Sequence, residues 1–188
     1  MTTVFIGGSR RITRLNDTIR SRADNIMRQH FTVIIGDANG ADRAMQSYFA
    51  DKGYRDVIVY CMDNRCRNNV GGWPTKQVSA NSQLKDFAYY ATKDEKMAQA
   101  ASYGFMMWDG RSKGTLNNIL NLLQQQKKVL VYFSPDKSCY TLSFLEDLTA
   151  LLHKCGSDVR RKFEREFTLS APTTSEETGS DLFAARRE

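Results

Sequence analysis

The sequence has few cysteines, histidines and prolines. Its four cysteines form no CxxC pair, and its two histidines lie at no metal-ligand spacing from them. This pattern indicates neither a zinc site nor a disulfide framework. We therefore expect reduced thiols, no metal and no cofactor. His30 and His153 lack a partner motif, and we interpret them as helix-end residues.

The sequence also lacks a long apolar run. No stretch approaches the roughly 18 to 20 apolar residues that cross a bilayer. The polar residues 1–3 lead into a strand-like segment instead of a signal-peptide pattern, so we expect a cytoplasmic protein without a membrane partner. A length of 188 residues with 41% hydrophobic content suits one domain with a real core.

Basic residues exceed acidic ones, 27 against 21, and the formal net charge is +6. They are scattered along the chain, and no basic stripe is evident. Such an excess is typical of a solvated surface or of attraction for small anionic ligands. The charge pattern therefore does not favour nucleic acid as a partner.

Short β-branched and apolar segments alternate with segments of helical periodicity. The second type is illustrated by Ile19, Ala23 and Ile26. This alternation predicts an α/β fold, a Rossmann-like three-layer sandwich with a mostly parallel sheet of about five strands, plus C-terminal helices. The predicted strands are residues 3–6, 32–35, 56–61, 104–108 and 128–133, and the predicted helices between them are residues 16–29, 41–52, 82–101 and 116–126.

The domain prediction divides the chain into three parts. Residues 1–135 form the nucleotide-binding domain, and residues 136–168 form a helical extension that packs on it. The leucine-rich helix of this extension, beginning near Leu142, leaves open whether its apolar face covers the sheet or forms a homo-oligomer interface. Residues 169–188 are rich in serine, threonine and glutamate and should form a disordered tail. Residues 63–79 form a long irregular segment, a candidate lid.

Three glycine-containing turns each follow a predicted strand, at residues 7–10, 36–43 and 108–115. Ligands of parallel α/β sheets bind beyond the carboxyl ends of the strands. Glycine lets backbone N–H groups approach a phosphate, with which Arg10 could pair bidentately. Asp42 suits either a helix N-terminal charge or an acceptor for a ribose hydroxyl. The spacing matches neither a Walker loop nor a GxGxxG fingerprint, so it indicates neither a nucleoside triphosphatase nor an ordinary dehydrogenase.

These turns, together with residues 93–97, resemble the SLOG superfamily of Rossmann-like proteins related to the LOG phosphoribohydrolases, and within it the YspA-like branch. The matching segments lie within residues 4–133. The resemblance implies a nucleotide whose phosphate lies against the Gly114–Thr115 turn and whose ribose or base lies near the Gly7 and Gly36 turns. It also implies N-glycosidic cleavage. However, Asn118 replaces the glutamate of the PGGxGTxxE pattern, and an amide cannot act as a nucleophile or general base there.

Two functions follow from these residues. The first is binding of a nucleotide, a phosphorylated nucleoside or a nucleotide-derived signal. The alternative is an N-glycosidase that releases free base and sugar phosphate from a nucleoside monophosphate, with Asp109 or Asp94 as the catalytic carboxylate. The predicted ligand-binding residues are Gly7, Gly8, Ser9, Arg10, Gly36, Asp37, Ala38, Gly40, Asp42, Lys93, Met97, Gly110, Ser112, Lys113, Gly114, Thr115 and Asn118.

A third function also stays open, that of a single-stranded nucleic-acid binding module. Cations and stacking aromatic rings suit such ligands, and residues 63–79 contain both. The residues concerned are Arg65, Arg67, Trp73 and Lys76.

Overall fold

A computed structural model describes residues 1–79 and 86–167 of the chain. Within these residues the fold has seven strands and six helices. In chain order they are β1 (Thr3–Gly8), α1 (Asp17–Arg28), β2 (Thr32–Gly36), α2 (Ala41–Asp51), β3 (Val57–Met62), β4 (Thr75–Val78), α3 (Asp86–Ala100), β5 (Tyr103–Trp108), α4 (Lys113–Gln124), β6 (Val129–Phe133), β7 (Ser138–Leu142), α5 (Leu145–Leu152) and α6 (Ser157–Phe167).

The strands form one sheet in the order β4-β3-β2-β1-β5-β6-β7. Every pair is parallel except β6 with β7, which is antiparallel. The predicted Rossmann-like α/β class is therefore confirmed. Because β1 lies between β2 and β5, the turns that follow these three strands are neighbours at one edge of the sheet.

Alternate residues of the central strands enter two separate apolar cores, one on each face of the sheet. On β1, Val4 and Ile6 pack in the core that contains Ile19 of α1 and Met45 of α2. Phe5 points to the opposite core, which also contains residues of α3, α4, α5 and α6. This arrangement explains why the buried strands read as nearly continuous apolar runs.

The predicted count of about five strands is too low by two edge strands. Thr75–Val78 forms β4 inside the segment predicted as irregular, and it pairs in parallel with β3. Ser138–Leu142 forms β7, which pairs with β6, so Leu142 lies in a strand and not in the predicted helix. β4 is mainly polar and β7 mixes polar with apolar residues, and in each strand only the last residue is buried, so neither has the apolar run that marks the central strands.

Helix boundaries differ at α4, which begins at Lys113 rather than at residue 116. Ser112 is its N-cap and accepts a hydrogen bond from the Thr115 amide. In α6, Phe163 is buried with its ring 5.9 Å from that of Trp108. The predicted tail at residues 169–188 and the first four residues of the predicted helix 82–101 lie outside the described residues. In residues 1–79 and 86–167, no helix has the length and apolarity required to traverse a membrane.

The prediction of four reduced thiols is wrong for one pair. Cys61, at the end of β3, and Cys66 form a disulfide, whereas Cys139 and Cys155 are free. The chain reverses between them through a tight turn that pairs Met62 with Arg65. This reversal brings the two cysteines together across five positions. The spacing of the cysteines in the sequence does not indicate the turn.

Candidate functional site

The three glycine-containing turns line one cavity of about 510 Å³ at the carboxyl edge of the sheet, and α3 forms a further wall. Ligand pockets commonly have volumes of roughly 300–1,000 Å³. The structure brings most of the predicted site residues to this cavity. Those that line it are Gly7, Gly8, Ser9, Arg10, Gly36, Ala38, Asp42, Lys93, Asp94, Met97, Asp109, Ser112, Gly114, Thr115 and Asn118.

Gly36 is required because a carboxylate lies against it. A Cβ atom at this position would lie 2.5 Å from Asp42 Oδ2 and 3.4 Å from Lys93 Nζ. The same Oδ2 atom accepts a hydrogen bond of 3.2 Å from the Ala38 amide. The glycine thus leaves room for a buried carboxylate at the floor of the cavity.

Behind the cavity, Asp37 holds two cations. Its Oδ1 atom accepts a hydrogen bond of 2.6 Å from Lys93 Nζ and one of 2.7 Å from Arg67 Nη2, and its Oδ2 atom accepts one of 3.1 Å from Arg67 Nε. The side chains of Asp37 and Lys93 are 2% and 3% exposed. Although burial opposes ionisation, the hydrogen bonds and charges of Arg67 and Lys93 hold the pKa of Asp37 well below its usual range. Asp37 therefore stays charged and fixes both cations.

The pKa values of two other carboxylates at the cavity are raised, opposite to the change at Asp37. Burial raises the pKa of Asp42 to about 7, with the charges of Asp94 and Asp37 adding to the effect and Lys93 opposing it. Burial raises the pKa of Asp94 to about 6. With its amide nitrogen turned toward these acceptors, Asn118 donates to Asp94 Oδ2 at 3.0 Å and to the Gly114 carbonyl at 3.2 Å. Asn118 thus links Asp94 to the start of α4.

The raised pKa of Asp42 predicts a pH-dependent stability. The folded state binds the Asp42 proton more tightly than the unfolded state, so its stabilising contribution is complete below about pH 4 and is lost as the pH rises to about 7. As the pH rises from 5 to 8, wild type should lose this contribution and Asp42→Asn should not. The free energy of unfolding of Asp42→Asn relative to wild type should therefore be about 2 kcal/mol higher at pH 8 than at pH 5. Urea denaturation at both pH values measures this.

The control for this experiment is Asp51→Asn, which changes an exposed carboxylate on the same helix. Its stability relative to wild type should be the same at pH 5 and pH 8. If the Asp42→Asn variant shows the same constancy, the proton on Asp42 is not held more tightly in the folded protein.

The N-terminus of α4 supplies backbone donors to the cavity. The Thr115 and Leu116 amides are bonded to the Ser112 side chain and carbonyl. In the described part of the chain, the Lys113 and Gly114 amides have no acceptor. A Cβ atom at Gly114 would have no neighbour within 4 Å. Unpaired N–H groups at a helix N-terminus form a site for an anion.

One wall of the cavity combines arginine and tyrosine. The guanidinium carbons of Arg67 and Arg10 lie 4.7 Å and 6.0 Å from the centre of the Tyr90 ring, distances that suit cation–π contacts. We call Arg10, Arg67 and Tyr90 the arginine–tyrosine wall. Phe87, one turn before Tyr90 on α3, also lines the cavity. This wall offers both positive charge and an aromatic surface.

Four predicted binding residues do not line the cavity, namely Asp37, Gly40, Gly110 and Lys113. Asp37 acts through Lys93 and Arg67, and Gly40 and Gly110 have positive φ angles that shape their turns. Lys113 Nζ lies 3.1 Å from a carboxylate oxygen of Glu166 on α6. These four residues therefore support the cavity from outside its surface.

The candidate catalytic residue Asp109 lines the cavity, but its Oδ1 atom accepts hydrogen bonds from the Arg111 and Ser112 amides at 3.1 Å and 2.8 Å. Those bonds hold the turn before α4. Asp94 has no such backbone role among the hydrogen bonds of the described residues. Of the two predicted carboxylates, Asp94 is the one that faces the cavity without bracing a turn.

Several cavity residues were missing from the predicted site. They are Phe5, Arg11, Arg67, Phe87, Tyr90, Ala91 and Arg111. The α3 residues among them recur every three or four positions with Asp94 and Met97, a helical face that the sequence could have indicated. Arg67 and Trp73 are both candidates of the single-strand alternative. Trp73 is buried, with its Nε1 atom donating to the Tyr54 carbonyl, so it offers no stacking surface.

The fold and the cavity define a Rossmann-like α/β protein with a cavity at the strand ends. No protein-family model and no curated protein matches the sequence. Among solved structures, DNA processing protein A from Helicobacter pylori, described for its single-stranded DNA binding mode, is similar with a TM-score of 0.55 and 11% identity. The match covers 89% of this chain and 80% of that chain. At this identity the similarity shows a shared fold alone.

Proposed function

We propose that this protein binds a nucleotide or a phosphorylated nucleoside in the cavity at the ends of β1, β2 and β5. The observation that carries this proposal is the convergence of the three glycine-containing turns on a single cavity. At one end, the unpaired amide of Gly114 at the N-terminus of α4 suits a phosphate group. At the other end, the arginine–tyrosine wall suits a base or a further anion.

The sequence resemblance supports the same proposal. The segments that resemble the SLOG superfamily and its YspA-like branch supply the turns of this cavity. According to this resemblance the phosphate lies against Gly114 and Thr115. The buried Asp37 and Lys93, together with the more exposed Arg67, keep the opposite wall in place. The protein then serves as a nucleotide sensor or a ligand-sequestering module.

Thermal unfolding with a panel of nucleotides tests the proposal. A ligand present at about 100 times its dissociation constant adds about 2.7 kcal/mol, which corresponds to a rise in Tm of roughly 5 to 10 °C for a chain of this size. We expect Gly114→Asp to bind the stabilising nucleotide at least about tenfold more weakly than Gly114→Asn. The two side chains have the same shape, so the comparison isolates a negative charge at the phosphate position.

Both variants should fold, because the space next to Gly114 is open and a carboxylate in the first turn of a helix is favourable. Two results would count against the proposal. One is the absence of any thermal shift with nucleoside mono-, di- or triphosphates. The other is equal binding by the Asp and Asn variants, which would place the phosphate elsewhere.

A second function, N-glycosidic hydrolysis, is favoured by one observation. Asp94 faces the cavity, and its pKa is raised to about 6. A carboxyl group with a pKa near the operating pH suits general acid–base catalysis. Chromatography of the nucleotide samples detects free base. If this site hydrolyses the nucleotide, Asp94→Asn should release no free base but should still bind the nucleotide. Binding without release identifies a binding protein.

A further inference from the structure

The disulfide between Cys61 and Cys66 lies beside the residue that anchors the cavity wall. Its two sulfur atoms and a carboxylate oxygen of Asp37 all lie within 4.8 Å of one another. Asp37 is the residue that fixes Arg67 and Lys93 at the cavity. A covalent bond that thiols can break therefore lies next to the anchor of the candidate ligand site.

This cluster of one carboxylate and two sulfur atoms lacks the free ligand atoms that a metal ion requires. Asp37 Oδ1 accepts hydrogen bonds from Lys93 Nζ and Arg67 Nη2, and Asp37 Oδ2 accepts them from the Arg67 amide and Nε. A carboxylate has about four lone-pair sites, so these four bonds occupy them. The chemistry left to the cluster is that of the two sulfur atoms.

The disulfide is joined directly to the arginine of the cavity wall. Arg67 follows Cys66 in the chain, and the peptide that links them donates its N–H to Asp37 Oδ2 at 3.0 Å. The guanidinium group of the same Arg67 lies against the Tyr90 ring and lines the cavity. A displacement of Cys66 therefore displaces the Arg67 peptide and weakens the hold of Asp37 on the arginine–tyrosine wall.

The two sulfur atoms differ in exposure. Cys61 is fully buried in β3, whereas Cys66 is exposed. A reducing thiolate reaches the exposed sulfur atom more readily than the buried one. Once the S–S bond is broken, the two sulfur atoms must separate to van der Waals contact. Because Cys61 is fixed in the core, Cys66 and the Arg67 peptide are the part that moves.

We propose, on the basis of the proposed function, that the Cys61–Cys66 disulfide is a redox switch of the nucleotide site. In the oxidised protein it holds Arg67 in place, and the nucleotide binds tightly. A dithiol reductant attacks Cys66 Sγ with one thiolate, which breaks the Cys61–Cys66 bond, and the Cys61 sulfur takes up a proton. The second thiol of the reductant then displaces Cys66, which also takes up a proton, and the reductant leaves as a disulfide. The cysteine pair gains two electrons and two protons, and Arg67 is released from the wall.

Calorimetric titration of the oxidised and the reduced protein tests this inference. The probes are the mono-, di- and triphosphates of adenosine, guanosine, cytidine and uridine. We expect reduction by dithiothreitol to weaken the tightest of them about tenfold, and reoxidation to restore the affinity. Cys66→Ser should bind like the reduced protein under both conditions. Cys139→Ser, which changes a free cysteine in the edge strand β7, should respond like wild type.

The redox equilibrium provides a reciprocal measurement. If the oxidised form binds a nucleotide about tenfold more tightly, saturating nucleotide must favour the disulfide by the same factor. That factor lowers the midpoint potential of the cysteine pair by about 30 mV. Alkylation of the protein, equilibrated in mixtures of reduced and oxidised dithiothreitol, measures the potential. A disulfide that only stabilises the fold gives no such shift, and two cysteines that stay free in the absence of reductant overturn the inference.

Limited proteolysis reports on the segment without any nucleotide. Trypsin cleaves after arginine, and Arg65 and Arg67 flank the exposed Cys66. We expect cleavage at these two positions to be about tenfold faster in the reduced protein, because the broken link lets the segment open more often. Circular dichroism of the same samples should show that the reduced protein remains folded.

The outcomes separate this inference from the proposed function. If a nucleotide binds equally to both redox forms, the switch is wrong and nucleotide binding stands, whatever the rate of cleavage. If reduction unfolds the protein, the disulfide is a structural bond and the switch is again wrong. If none of the nucleotides binds to either form, both proposals fail.

Discussion

Replacing Gly40 by alanine should destabilise the protein by about 3 kcal/mol or more, a loss of roughly 6 to 12 °C in Tm. Gly40 has φ +83° and ψ −126°, a conformation that is essentially restricted to glycine. A Cβ atom would also lie 2.3 to 2.5 Å from three backbone atoms of Arg10. Because those atoms belong to the backbone, the clash cannot be relieved by rotating a side chain. Urea denaturation followed by circular dichroism measures the loss.

Gly53→Ala is the matched control for this effect. Gly53 has a positive φ of +66°, but a Cβ atom there would meet nothing within 4 Å. Only the conformational cost applies, and we expect a loss of about 1 kcal/mol. Equal losses in the two variants would show that the β1 turn does not lie against Gly40. A larger loss at Gly40 supports the close packing of the first two glycine turns, on which the cavity depends.

Asp37→Asn should be the other strongly destabilising change, with an expected loss of about 3 kcal/mol at pH 7. The substitution keeps the shape of the side chain but removes the negative charge that Lys93 and Arg67 share. Lys93 is almost fully buried, and an unpaired buried cation is costly. The loss should also weaken nucleotide binding, since Asp37 holds Arg67 at the cavity wall.

The pH dependence of this loss identifies its cause. The pKa of Asp37 is lowered in the folded protein, so its contribution is present above about pH 4 and declines as the pH falls further. The stability difference between wild type and Asp37→Asn should therefore be smaller at pH 3 than at pH 5. Asp17→Asn, which removes a fully exposed carboxylate from a surface ion pair, should have little effect. A difference that stays unchanged at pH 3 would exclude the charge as the cause.

Much of the fold could be predicted from the sequence because the central strands are buried on both faces. Residues 3–6 and 32–35 are β-branched and aromatic runs of this kind, and each ends at glycine. The two edge strands escaped prediction because pairing on one side supports a strand without an apolar run. The Thr75–Val78 strand is the clearer case, since its first three residues are exposed.

The candidate site could be predicted in part. Glycine turns after strands must lie at one sheet edge, so the residues of those turns were found without coordinates. The contribution of α3 was only partly found, because Lys93 and Met97 were named while Phe87 and Tyr90 on the same helical face were not. The sequence places Arg67 only in the long segment 63–79, and the structure shows that it lines the cavity.

The sequence by itself determined the alternation of strands and helices and the glycine turns between them, because each depends on residues within a few positions of one another. Only the tertiary structure decided which charges are paired and which are left to a ligand. Asp37 meets Arg67 across 30 positions and Lys93 across 56. Contacts of that separation, and the burial that raises the pKa of Asp42, arise from the packing of the whole sheet with its helices.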